Sequence, residues 1–203
     1  MVLELWLSLV LICVLGAMSP GPSLALVVRN TILGGPRSGL ATAISHGLAI
    51  GLYAAVVLTG IGVVIVQSPV IFQVVQYSGA AFLLFLAYKA LTSKASNIEL
   101  TSGEATTTEN INGWRDGFLI AFLNPKIAMF FLALFSQFID ANASFVQQLV
   151  MVLTVGGIDT IWYCLVAFGL SRGPVLQRLK SKTNIIDKVT GVVLILLAVR
   201  VVV

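Results

Sequence analysis

Residues 5–28 read LWLSLVLICVLGAMSPGPSLALVV, an apolar run long enough to cross a bilayer but interrupted at Ser19-Pro20-Gly21-Pro22-Ser23. A bilayer core needs about 20 apolar residues per helix. Prolines inside such a helix free backbone groups that lipid cannot satisfy, so a break survives only where protein or a water-filled cavity surrounds it. The same arrangement returns at Asn124-Pro125-Lys126, inside the apolar stretch 115–138. Interrupted spans at corresponding places in two halves of a chain point to a transporter's binding site. Two expectations follow: a helical membrane bundle, and a ligand site near its midplane.

Composition agrees. Of 203 residues 58% are hydrophobic and 10% charged, with a mean hydropathy of +1.02. A soluble domain carries about 25% charged residues, so the fold class is an all-α integral membrane protein. Six spans are expected at 2–28, 40–66, 70–91, 115–138, 145–170 and 185–203. The sixth is the weakest, because Asp187 and Lys188 shorten its apolar run. The start of the chain differs from a secretory signal: its only charge there is Glu4, where a signal needs a positive start. Residues 5–28 are therefore kept as the first span. Little chain is left for a soluble catalytic domain.

The net charge of +4 does not point to nucleic acid, because the basic residues cluster in short connections beside apolar runs. Arg29 and Arg37 fall between spans one and two. Lys89, Lys94 and Arg115 fall between three and four, and Arg172, Arg178, Lys180, Lys182 and Lys188 between five and six. That places ten of the twelve basic residues on one face. The positive-inside rule makes this face cytoplasmic and both termini external. The long connection 92–113 is rich in Ser, Thr, Asn and Glu and reads as a polar cytoplasmic linker. Cys13 and Cys164 stand alone in different spans and read as packing residues rather than a disulfide or metal site.

Residues 1–91 laid over 114–203 suggest a repeat. Pro20 falls on Pro125, Gly51-Leu52-Tyr53 near Gly157-Ile158-Asp159, and Ser78-Gly79-Ala80-Ala81 on Thr190-Gly191-Val192-Val193. With three helices each, the second unit enters the membrane upside down, as two inverted repeats with proline-broken helices 1 and 4. Glycine and proline coincidences are the plainer explanation, but these matches keep the same order.

Ser19-Pro20 and Asn124-Pro125 each read as an N-cap followed by proline at the first helical position. Each would begin a half-helix whose free N–H groups and positive dipole end suit a carboxylate. The expected substrate-binding set is Ser19, Pro20, Gly21, Pro22, Asn124, Pro125 and Lys126, the last adding a full positive charge. Taken singly, either break is an ordinary kink; the duplication and the lysine favour a site. Asp159 lies deep in span five, where a charge costs about 2.5–3.5 kcal/mol and needs a partner. Lys126 is a candidate partner, and Asp159 is assigned either a substrate ammonium or proton coupling, or that ion pair. His46, the only histidine, is expected to hydrogen-bond a helix backbone, with proton relay as the alternative. Gly47 and Gly51 form a GxxxG that allows close helix packing. Trp162 and Tyr163 read as packing or pocket walls, and Lys89 and Arg200 as snorkelling to the interface.

As an ordered set these motifs resemble the LysE-type amino-acid exporters, particularly their threonine/homoserine efflux branch. The residues carrying the resemblance are Ser19-Pro20-Gly21-Pro22, Gly79 through Leu91, Asn124-Pro125-Lys126, Asp159 with Trp162-Tyr163, and Thr190-Gly191 leading to Arg200. It covers essentially the whole chain except the linker. Phe82 and Ala87 depart from it, standing where many relatives carry Tyr and Gly. The resemblance implies a bacterial inner-membrane exporter of amino acids in exchange for protons, with no cofactor; a homo-oligomer is compatible with it. Three other readings remain in view. Metal-cation efflux wants oxygen-rich or Cys/His-rich clusters inside the spans, and Asp159 is nearly alone. A membrane enzyme or thiol carrier wants paired cysteines or a Ser/His pair, and a non-transporting assembly subunit would leave the duplicated breaks without a purpose.

Overall fold

The computed structural model describes residues 3–19, 21–92, 111–139, 143–170 and 175–200; the side chains of 170–180 lie outside that description. Pro20 and most of the linker, 93–110, are likewise outside it.

An apolar run makes α1, Leu3–Met18. Leu9, Ile12, Cys13 and Leu15 face inward, while Leu3, Leu7 and Leu11, four residues apart, are 66%, 50% and 50% exposed. Such a leucine stripe is a liability in water and an ordinary outer face in lipid. Ser19 closes α1 by donating its N–H to Leu15 O at 3.0 Å. Gly21 is then fully extended (φ −166°, ψ −176°) and caps α2, Pro22–Gln67. This corrects the expected start at Ser19-Pro20. Pro22 disfavours helix at the residue before it and is itself suited only to a first turn, so the helix waits one step longer.

Helix α2 also overruns the expected end of the first span. It continues past residue 28 to a kink at Gly35 (φ 78°, ψ 175°), followed by Pro36, and then a second arm reaches Gln67. That backbone conformation is open essentially only to glycine. Ser68 ends α2, donating its N–H to Val64 O at 2.9 Å, and Pro69 begins α3, Pro69–Thr92. Asn112 caps α4, Gly113–Phe122, its side chain accepting from Arg115 N at 3.1 Å. Asn124 does the same for α5, Pro125–Phe138, accepting from Lys126 N at 3.0 Å. Here the cap-then-proline start expected from sequence is found. Helices α6, Phe145–Leu170, and α7, Val175–Val199, complete the described chain.

Glycines set the helix spacing. Gly47 of α2 lies against Gly156 and Thr160 of α6, so close that a Cβ would strike Thr160. Gly156 in turn lies against Gly51, and the GxxxG thus brings two backbones together. Gly113 and Gly117 seat α4 on Ser38, Thr42 and Ser45 of α2, with a Cβ at either position running into α2 backbone carbonyls. Gly79 seats α3 on Ala133 of α5, and Gly191 seats α7 on Leu91 and Ala87 of α3. Helix α2 is the hub, packed mainly on α6 and α4, while α3 packs on α7 and α5.

Among the described residues three helices, α2, α3 and α6, are each long and apolar enough to cross a membrane; α4 and α5, bent by 55° at their break, make a fourth if the pair is one span. Helix α1 has 16 residues, and α7 carries Lys182, Asp187 and Lys188 ahead of its apolar run. The chain is a multi-pass, all-helical membrane protein.

Candidate functional site

Where α1 stops and α5 starts, neither helix fills the bundle, and a cavity of about 470 Å³ opens between α1, α2, α3, α5, α6 and α7. Small-molecule sites occupy about 300–1,000 Å³. Ser19, Gly21 and Pro22 from the first break line it, as do Asn124 and Lys126 from the second. Pro125 is not among the lining residues, and Pro20 lies outside the described ones. Asp159 reaches the same cavity from α6. Two proline-started helix N-termini thus bring both breaks and the buried carboxylate to one place.

The partner of Asp159 is not the one expected. Its Oδ2 lies 2.6 Å from Nδ1 of His46, the two side chains being 11% and 1% exposed. The reason is positional. The glycine seam at Gly47 and Gly156 presses α2 onto α6, which brings His46 against Asp159; Lys126 belongs to α5, elsewhere on the cavity wall. His46 therefore bonds a carboxylate and not the helix backbone expected of it. Its ring packs edge-on against Tyr163, centroids 4.9 Å apart at 76°. The second ring nitrogen, Nε2, has no protein partner, although the ring lines the cavity.

Three residues that sequence reasoning gave no site role also line the space. Asp187, 5% exposed, and Thr190 come from α7, and Lys89 from the end of α3. Thr190 Oγ1 has no protein hydrogen-bond partner. Lys126 lies within electrostatic reach of both Lys89 and Asp187. The available signal was the i, i+3 spacing of Asp187 and Thr190 at the head of an apolar run, which puts both on one helix face. Cys13 is buried beside the cavity, and both cysteines are free. Among the described residues no three His, Cys, Asp or Glu side chains gather closely enough to hold a metal ion.

Chemically, the cavity offers a fixed cation, two helix N-termini, buried carboxylates and an imidazole. An anionic group suits the first two and a cationic group or proton the last two.

Comparison with known proteins is consistent along the chain. Residues 14–203 match the family described as LysE type translocator. An uncharacterized membrane protein of Vibrio cholerae is 32% identical over 162 residues, 78% of this chain and 77% of the relative. The Bacillus subtilis membrane protein YrhP is 23% identical over 184 residues, 87% of this chain and 88% of the relative. A protein of Salmonella choleraesuis named leucine efflux protein is 26% identical over 158 residues, 76% of this chain and 72% of the relative. No solved structure matches. With the family match spanning nearly all of the sequence, the chain belongs to the LysE type translocator family.

Proposed function

We propose that this chain exports small amino acids across the bacterial inner (plasma) membrane, each in exchange for protons. The observation that carries the proposal is the convergence, on one cavity, of Lys126, the N-termini of α2 and α5, and the buried His46–Asp159 pair. The substrate carboxylate binds at Ser19, Gly21, Asn124 and Lys126, with Pro22 and Pro125 starting the half-helices. Asp159 receives the ammonium group or the coupled proton, and His46 relays that proton through Nε2. Efflux of leucine is what relatives such as the Salmonella choleraesuis protein are named for, and it supports amino-acid cargo here.

In this reading the chain crosses six times. Helix α1 with residues 22–34 supplies the first span and the second arm of α2 the second. Then follow α3, the α4–α5 pair, α6 and α7. Residues 1–91 and 114–203 form two inverted repeats about the linker 92–113. The short helix, break and proline-started helix found in each half support this. So does the packing of α3 on α7 and of α2 on α6. The basic face, carrying ten of the twelve Lys and Arg residues, lies in the cytoplasm, with both termini outside. Substrate and protons then bias an equilibrium between inward-open and outward-open forms.

Efflux from cells preloaded with threonine, homoserine and leucine tests this, comparing wild type, Asp159→Asn and Lys126→Ala with and without a proton gradient. Gradient-dependent loss of one amino acid, abolished by either substitution at equal expression, is the expected result. Wild-type efflux no faster than the empty vector would remove the proposal, and active variants would remove the site.

A further inference from the structure

A second concavity lies between α4 and the two arms of α2 that meet at the Gly35 kink, and encloses about 1300 Å³. Three arginines line it: Arg29 before the Gly35 kink, Arg37 just after it, and Arg115 in the first turn of α4. Among the described lining residues the one carboxylate is Asp116, its Oδ1 3.6 Å from Arg115 Nε, so the arginines outnumber it there. The Arg115 side chain is 68% exposed. The rest of the lining is of another kind. Leu26, Leu119, Ile120 and Leu123 form an apolar wall, with Leu123 69% exposed, and Trp114 stands at the rim 54% exposed.

The order of these residues along the helices is informative. With α4 and α5 taken as the one broken span proposed above, the break after Phe122 lies toward the bilayer middle, which puts Trp114 and Arg115 shallow and Leu119 and Leu123 deep. The first arm of α2 runs the opposite way, with Leu26 deep and Arg29 and the kink shallow. Charge is therefore stacked over hydrocarbon on both walls, beside a tryptophan of the kind that settles at headgroup level. Guanidinium groups are suited to phosphate because they donate paired hydrogen bonds to it. Neither the transport cavity nor its residues take part.

The geometry points to a binding site for an anionic phospholipid, with its phosphate on Arg29, Arg37 and Arg115 and an acyl chain along Leu26, Leu119 and Leu123. A soluble anion would need the arginines but not the leucine wall. A zwitterionic lipid would use the wall and gain little from the charge. The lipid would brace α4 against α2 where Gly113 and Gly117 meet Ser38 and Thr42, the seam on which the broken α4–α5 span rests.

The test uses the full-length protein in neutral detergent, with native mass spectrometry reading bound lipid. Phosphatidylglycerol is expected to bind at least tenfold better than phosphatidylethanolamine. Each arginine removed should weaken it about fivefold, since one basic residue near an anionic surface contributes about that factor. Arg37→Gln/Arg115→Gln is the main variant. Arg115→Gln alone serves if the double variant does not fold. Lys182→Gln/Lys188→Gln removes the same charge outside the groove and should change nothing. Equal loss in that control, or no loss in the arginine variants, overturns the site. So does equal binding of phosphatidylethanolamine. Inorganic phosphate raising the thermal midpoint as much as phosphatidylglycerol would leave only an anion site. Binding that appears only after Glu99, Glu104 and Glu109 are changed to Gln would make the linker, not lipid, the occupant.

Discussion

At residue scale, the His46–Asp159 contact determines how a charge is held inside this bundle. With Nδ1–H donating to the carboxylate, a neutral ring leaves Nε2 as an acceptor; a proton arriving there turns it into a donor. The pair can thus change its charge without moving a helix. Asp159→Asn keeps the side-chain volume and can still accept from Nδ1–H, but it cannot hold the charge. It is expected to fold, with a loss below about 2 kcal/mol, and to lose efflux driven by an imposed proton gradient while still exchanging labelled for unlabelled amino acid. Asp159→Ala strands a buried imidazole and is expected to cost about 3–5 kcal/mol. Thermal midpoints in detergent separate the two variants. If Asp159→Asn kept its gradient response, the proton would have to travel elsewhere. Lys126→Ala is expected to act differently, abolishing exchange of labelled for unlabelled amino acid together with gradient-driven efflux, because it removes the group that binds the substrate carboxylate.

The elements answer to proline and glycine, and these do so in different ways. Gly35 occupies a backbone region open essentially only to glycine, so Gly35→Ala is expected to cost about 1–3 kcal/mol. Gly21 also sits at a helix boundary, but it is extended, and an added methyl group would meet nothing within 4 Å. Gly21→Ala is therefore expected to stay within about 0.5 kcal/mol of wild type. Gly117→Ala drives a methyl into the Thr42 carbonyl, and overpacking of this kind costs about 1–3 kcal/mol. Unfolding midpoints of the three variants should fall in that pattern, and a costly Gly21→Ala would contradict the extended break. The same chemistry explains what is legible in the sequence. Asn124-Pro125 carries its cap and its start in two adjacent letters, and both breaks are readable from proline alone. The one-step delay to Pro22 and the helix running on to Gly35 depend on which of several glycines and prolines the backbone uses. The His46–Asp159 pair joins positions 113 residues apart. It depends on the α2–α6 register, which no local pattern encodes.

Across the whole molecule, the described residues bound the cavity with buried core at one end and with exposed side chains at the other. Leu9 of α1, Leu58 of α2 and Phe135 of α5 belong to one buried cluster. Each lies about ten residues beyond the breaks or His46, or roughly 15 Å along its helix at 1.5 Å per residue. In the opposite direction the lining runs past Lys89, Ala90 and Thr92 at the exposed C-terminal end of α3. Under the orientation proposed above, with the basic face in the cytoplasm, this end opens inward, to load cargo. The consequence can be checked with thiols, after Cys13→Ala and Cys164→Ala remove the two native ones. A membrane-impermeant maleimide should label Thr92→Cys and a cavity probe, Ile127→Cys, in inverted vesicles but not in intact cells. Ser144→Cys, on the connection before α6, should show the reverse. Added substrate should slow labelling at Ile127→Cys and leave Thr92→Cys unchanged, because only the first faces the bound molecule. Labelling of Ser144→Cys from the cytoplasmic side would invert the proposed orientation. Labelling of Ile127→Cys from the outside alone would mean that the form described here is rare in the membrane and that the outward-open form dominates.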